Sequence, residues 1–316
     1  MKFILSISGG GIRGIIPAVV LAELENITQK PIAKSFDLIA GTSTGGIIAS
    51  MLAVPGKNQQ PKYSAQKVVE LYKDFGKTVF NQSFLRKLFS LNGLIGTKYS
   101  YKTLEKLLIE YLGNAYLSNT ITNLLIPAYK IEKGVGPYFF KTLHAKQTKS
   151  KIENPLLWKC ARATSAANGY FEPYKLDEQH IFLDGGLFAN NPAMCAYAQA
   201  KNLYGEQEKI TLVSIETGEN LVGYQYDKIR NWGFIQWAEP FFKQISSSAS
   251  GAIDYMLRAL TTIGDRYFRI QTDLDKKSLK MDDASDSNIQ RLEMAAKRSI
   301  RKHYSELSEI ANLIKA

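Results

Sequence analysis

Three short segments carry residue types and spacings that could do chemistry. Gly41-Thr42-Ser43-Thr44-Gly45 is a G-x-S-x-G sequence. The apolar run 36–40 before it and the apolar run 47–54 after it predict a strand, a sharp turn and a helix, the setting in which this pattern exposes a serine hydroxyl at the end of a sheet. Gly41 and Gly45 let the helix approach the strand with no Cβ in the way. Leu183-Asp184-Gly185-Gly186-Leu187 sets an acid at the end of the short apolar run 181–183. Gly9-Gly10-Gly11-Ile12-Arg13-Gly14 follows the apolar run 3–8 and precedes apolar residues at helical spacing over 15–27.

Each segment has competing readings. The first glycine loop matches G-x-G-x-x-G, the turn of a dinucleotide site. That site also needs an acid at the C-terminal end of the second strand, whereas this strand ends Ile39-Ala40-Gly41 and its acid, Asp37, stands at its start. A serine nucleophile needs a base, and the histidines are His144, His180 and His303. The order Ser43, Asp184, His303 formally suits an α/β-hydrolase triad, but His303 falls in the basic, helical stretch 298–304. The serine also follows the second strand rather than several earlier ones, so a triad is disfavoured. Cys160 and Cys195 form no CxxC pair and stand beside no histidine at metal-ligand spacing, so reduced thiols and no metal are expected.

The elements that must position these residues read as an α/β chain. Two strand-glycine-helix units open the sequence, and further strands are predicted at 124–131, 138–143, 180–183, 210–216 and 267–271. Asn191-Pro192 ahead of 193–204 is a helix start, with asparagine as cap. Residues 64–113 read as helical without a strand, so a helical cap inserted at about 60–118 is expected over a domain spanning 1–220. Residues 221–316 are expected to be a C-terminal extension, ending in helices, packed on the same domain. The length of 316 residues, with 45% hydrophobic and 22% charged, is that of an ordinary globular chain.

Taken in order, GGGIRG, GTSTG and DGG resemble the patatin-like phospholipase family, over about 3–194 and including Asn190-Asn191-Pro192. The resemblance implies a largely parallel sheet flanked by helices and a serine lipid acyl hydrolase of phospholipase A or lysophospholipase type. It implies Ser43 as nucleophile, Asp184 as general base, and an oxyanion hole from Gly10, Gly11 and Ile12, with Arg13 as the fixed positive charge of the loop. Gly9, Gly14, Gly41, Gly45, Gly185 and Gly186 are then the motif glycines, and no cofactor is needed. A carboxylate is a weak base in water, and burial under an acyl chain would raise its pKa toward its task. Backbone amides must lower much of the barrier, one donor being worth on the order of 3 kcal/mol. The alternatives are a soluble carboxylesterase or acyltransferase using the same pair, or a nucleotide-binding module.

Forty Lys and Arg against 29 Asp and Glu give a net charge of +11, which suits anionic partners. The stretch 75–104 contains no acid and mixes basic with aromatic residues, making Phe84, Arg86, Lys87 and Phe89 candidate contacts with an anionic membrane. A packed cap is the competing reading. Trp232, Phe234, Ile235, Trp237, Phe241, Phe242 and Ile245 form a second aromatic set, with core packing as the default. Phospholipid or lysophospholipid is the expected substrate and an anionic nucleotide a candidate activator, known in some bacterial members of the family. Nucleic acid is not an expected partner. The N-terminal apolar run is shorter than a signal-peptide core, and no run reaches the roughly 18 apolar residues of a membrane span. A cytoplasmic, peripherally membrane-associated protein is therefore expected, with export lacking a cleavable signal as the alternative.

Overall fold

The structure, a computed structural model, describes residues 1–80, 96–132, 134–219, 225–261 and 264–316, and the side chains of 234–235 and 238–247 lie outside that description. Its strands are β1 (Lys2–Ile7), β2 (Leu38–Gly41), β3 (Asn123–Lys130), β4 (Gly136–Lys141), β5 (Tyr174–Asp177), β6 (His180–Asp184), β7 (Ile210–Ile215) and β8 (Arg266–Ile270). The longer helices are α1 (Ile15–Thr28), α2 (Thr44–Ala53), α3 (Ala65–Val79), α4 (Tyr101–Leu112), α5 (Leu157–Thr164), α6 (Ala193–Tyr204), α7 (Phe234–Leu260), α8 (Asp286–Lys302) and α9 (Tyr304–Lys315).

The strands form one sheet in the order β5-β6-β3-β2-β1-β7-β8, with β4 also on β3. From β3 to β8 the pairings are parallel, and those of β4, β5 and β6 are antiparallel. Period-two alternation divides the parallel strands between two cores. Ile4, Leu38, Leu125 and Leu212 face the alanine stripe Ala193, Ala196, Ala200 of α6, whose small side chains let that helix lie close. Leu5, Ile39, Ile126 and Val213 face the other way, into the larger core. On that side α1 packs against α3, α8 and α9. Burial on both faces is why these strands read as continuous apolar runs.

β3 is where the strands ending in Gly41 and Asp184 come together. One of its edges carries β4, from Leu125 opposite Lys141 to Lys130 opposite Gly136. The other edge is shared, Leu38 to Ala40 of β2 pairing with Asn123 to Leu125, and Asp184 to Phe182 of β6 pairing with Ala128 to Lys130. Because β2 runs parallel and β6 antiparallel to β3, their C-terminal ends point at each other across Ile126 and Pro127.

Several boundaries differ from the sequence expectation. The strand expected over 138–143 gives way to a short helix, Thr142–Gln147, because Thr142 turns inward to bond Thr120 and the Leu124 amide. β5 has no apolar run of its own and forms on the edge that β6 offers, with a register irregularity between Lys175 and Asp177. Pro192 is the residue before α6, and the Ala193 amide donates to Asn191 Oδ1 at 3.0 Å. Beyond residue 220, β8 extends the sheet beside β7, and α8 and α9 cover α1. No helix among the described residues is long and apolar enough to cross a membrane.

Candidate active site

Ser43 sits between the end of β2 and the first turn of α2, at φ 54° and ψ −122°, a conformation that a residue with a Cβ rarely adopts. Such a position costs about 1–3 kcal/mol and persists only where the surroundings hold it. Here the Thr42 amide donates to Ile7 O at 3.2 Å, the Thr42 hydroxyl to Ala189 O at 2.6 Å, and the Ser43 amide to Thr164 Oγ1 at 2.9 Å. Gly41 ends β2, and Gly45 lies so close to β1 that a Cβ there would stand 2.1 Å from Ile7 O. The turn therefore needs glycine at that position to bring α2 onto the sheet.

Asp184 ends β6 and meets the serine, whose hydroxyl donates to Oδ2 at 2.6 Å. The other oxygen, Oδ1, accepts the Gly186 amide at 2.6 Å. Burial pushes the carboxyl up to about 6, against the downward pull of its bonds to Ser43 and the Gly186 amide. Thr164 O accepts the Gly185 amide at 3.3 Å, and Ala166 O accepts that of Asp184 at 3.1 Å. The end of α5 thus holds both residues of the pair.

The loop after β1 lies over them. The Gly9 amide donates to Asn190 O at 3.0 Å, and Gly9 O accepts the Thr217 hydroxyl at 2.7 Å. Gly10 O accepts from Arg13, through its amide and Nε, both at 3.3 Å. Gly11 O accepts the hydroxyls of Thr44 and Tyr72, each at 2.7 Å. Gly14 fits beneath Thr44 and Tyr72. Each carbonyl of the triple glycine is thus bonded.

The Ile12 amide differs from the sequence expectation. Ile12 N–H donates to Met281 O at 2.8 Å and Arg13 N–H to Gly10 O at 3.3 Å, so neither is open to a substrate oxyanion. Gly10 N–H and Gly11 N–H have no partner among the described residues. Both glycines line the same cavity as Ser43 and Asp184. The Arg13 guanidinium is buried behind the loop, bonded to Gly10 O and to Gly218 O at 3.1 Å, and burial lowers it to about 10. It remains a cation at neutral pH.

The cavity measures about 220 Å³ and runs from Ser43 along Ile47, Phe75, Val79, Phe80, Leu104 and Phe171. Such a lining suits an alkyl chain. The histidines are engaged elsewhere: His144 with Glu153, His180 with Asp177, and His303 with Glu306 and Gln271 O. Among the described residues no group of three His, Cys, Asp or Glu gathers as a metal site. Phe84, Arg86, Lys87 and Phe89 lie outside the described residues. Of the acid-free stretch, Lys77 pairs with Asp286 and Lys98 with Asp282, so these two cations are committed to the C-terminal region. Trp232 and Trp237 meet edge to face at 5.2 Å, and the side chains of Phe234, Ile235, Phe241, Phe242 and Ile245 lie outside the description.

The sequence profile of the family described as "Patatin-like phospholipase" matches residues 5–197, a span holding all three motif segments. "Patatin-like protein 4" of Arabidopsis thaliana is 33% identical over 327 residues, covering 92% of this chain and 80% of its own length. "Patatin-like protein 2" of Oryza sativa subsp. indica is 31% identical over 349 residues, covering 97% and 85%. "Probable inactive patatin-3-Kuras 1" of Solanum tuberosum is 29% identical over 339 residues, covering 97% and 88%. With a profile match across most of the sheet and similarity at this level along nearly the whole length, the chain belongs to the patatin-like phospholipase family.

Proposed function

We propose that the protein is a serine lipid acyl hydrolase, of phospholipase A or lysophospholipase type, working through Ser43 and Asp184. The observation that carries this reading is the 2.6 Å hydrogen bond from the Ser43 hydroxyl to a buried carboxylate whose pKa stands near 6. At neutral pH that group is ionised yet basic enough to take a proton. As Ser43 Oγ attacks the ester carbonyl, its proton passes to Asp184 Oδ2. The tetrahedral oxyanion accepts hydrogen bonds from Gly10 N–H and Gly11 N–H, helped by the positive end of α2 and the cation of Arg13. Collapse breaks the ester bond, and Asp184 returns the proton to the departing alcohol. Water then attacks the acyl-serine, giving its proton to Asp184, and Ser43 leaves with that proton as the fatty acid is released.

The apolar cavity beside Ser43 supports an acyl chain as the group retained on the enzyme, and the net positive charge supports an anionic bilayer as the place of work, with Phe84, Arg86, Lys87 and Phe89 as proposed contacts. The test is to give the protein mixed phospholipid vesicles and identify products by mass spectrometry. Fatty acids and lysolipids should appear with the wild type and be absent with Ser43→Ala. Turnover of soluble esters with none of vesicle lipid would point instead to a soluble carboxylesterase.

A further inference from the structure

The Gly11–Ile12 peptide plane is gripped at both ends, Gly11 O by Thr44 and Tyr72, and Ile12 N–H by Met281 O at 2.8 Å. The second grip comes from the far end of the chain. The main chain at Met281 lies flat on the loop: Gly11 has φ +60°, and a Cβ on it would stand 2.1 Å from Met281 O. The next residue is anchored in turn. The Asp282 carboxylate is mostly buried, and its Oδ2 accepts from Lys98 Nζ at 2.5 Å and Tyr99 Oη at 2.8 Å. Lys98 and Tyr99 are themselves tied by their amides to Gly169 O and Tyr170 O, and the Tyr99 ring packs on Tyr170 and Phe171, both of which line the cavity. A continuous line of contacts therefore runs from the cavity wall through Asp282 to the glycine loop.

We propose that Asp282 is a positioning residue for ester hydrolysis, holding Met281 O on the Ile12 amide and so fixing the plane next to the Gly11 N–H, which has no partner among the described residues. This rests on the reading of Ser43 as nucleophile. Consecutive glycines have wide backbone freedom, so an amide aimed at a developing oxyanion keeps its aim only if neighbouring planes are held. Loss of the hold raises the cost of reorganising the loop in the transition state and leaves ground-state binding in the apolar cavity alone.

The test compares Asp282→Ala, Asp282→Glu and Tyr99→Phe on a short soluble ester, together with hydrogen exchange over 9–14. Asp282→Ala should lower kcat by about 10- to 100-fold with KM changed less than about threefold. Exchange over 9–14 should quicken by about tenfold. Asp282→Glu should recover part of kcat, and Tyr99→Phe should lose less than Asp282→Ala. Lys302→Ala, which breaks the exposed Lys302–Asp273 pair, should leave both readouts unchanged. An unchanged kcat in Asp282→Ala, or a fall in kcat without faster exchange over 9–14, overturns the proposal. If Asp282→Ala does not fold, Tyr99→Phe combined with Lys98→Met decides by the same two readouts. A wild type that hydrolyses no ester would sink the reading of Ser43, whereas the exchange comparison would still decide whether Asp282 holds the loop.

Discussion

The Thr164 hydroxyl accepts the Ser43 amide at 2.9 Å, so a residue from the end of α5 holds the strained backbone at the serine. Thr164 is fully buried, and without its oxygen the Ser43 N–H would face no acceptor. Thr164→Val should therefore destabilise the fold by about 1–3 kcal/mol and lower kcat, while Thr164→Ser, which keeps the hydroxyl, should do neither. Urea unfolding beside ester turnover checks both; a stable, fully active valine variant would remove Thr164 from this role.

The conformation of Ser43 separates two substitutions that look alike. Ser43→Ala and Ser43→Gly both lose the bond to Asp184, but only glycine is at ease at φ 54°. Both should be inactive, with the glycine variant more stable than the alanine variant by about 1–2 kcal/mol. Equal thermal midpoints would mean that the turn is not strained.

In the proposed dyad, Asp184 sets the pH dependence. Its carboxyl is raised from the ordinary 3.8 to about 6, and only the ionised form accepts the serine proton, so kcat should rise through about pH 6 and then level. The stability effect has the opposite sign. Between about pH 4 and 6 the folded protein holds a proton that the unfolded chain has lost, so this group's contribution falls as pH rises through that window. At pH 7 the ionised carboxylate costs on the order of 2–3 kcal/mol. Asp184→Asn should be inactive and, at pH 7, at least as stable as the wild type. A clearly destabilised asparagine variant would contradict the raised pKa.

Reversing Arg86 and Lys87 to Glu should weaken binding to anionic vesicles, each basic residue near a bilayer contributing about 1 kcal/mol, and should spare hydrolysis of a soluble ester. Co-sedimentation at rising salt measures it. Binding unaffected by both salt and reversal would move the membrane contact away from this stretch.

The Ser43–Asp184 pair and its glycines were legible because each is defined by its immediate neighbours. A strand, a glycine turn and a helix fall within about a dozen residues, and Asp184 ends a strand with glycines behind it. The supports were not legible. Thr164, Thr217 and Tyr72 are single polar side chains in ordinary surroundings, and nothing local says that their hydroxyls turn toward Ser43 or the triple glycine. The Ile12 amide was misjudged for a related reason. Whether an amide is free depends on which carbonyl folds against it, and for Ile12 that carbonyl belongs to residue 281. β5 was missed because its partner strand, rather than its own pattern, makes it a strand.

The meeting of β2 and β6 end to end on one edge of β3 also governs when the chemistry can begin. Ser43 and Asp184 are 141 positions apart and share no direct strand pairing, so they meet only once β2 and β6 are both in place on β3. During synthesis Ser43 emerges long before Asp184. On the proposed dyad, a nascent chain that has exposed only Ser43 still lacks its base, and hydrolytic competence arrives only when the sheet closes at Asp184.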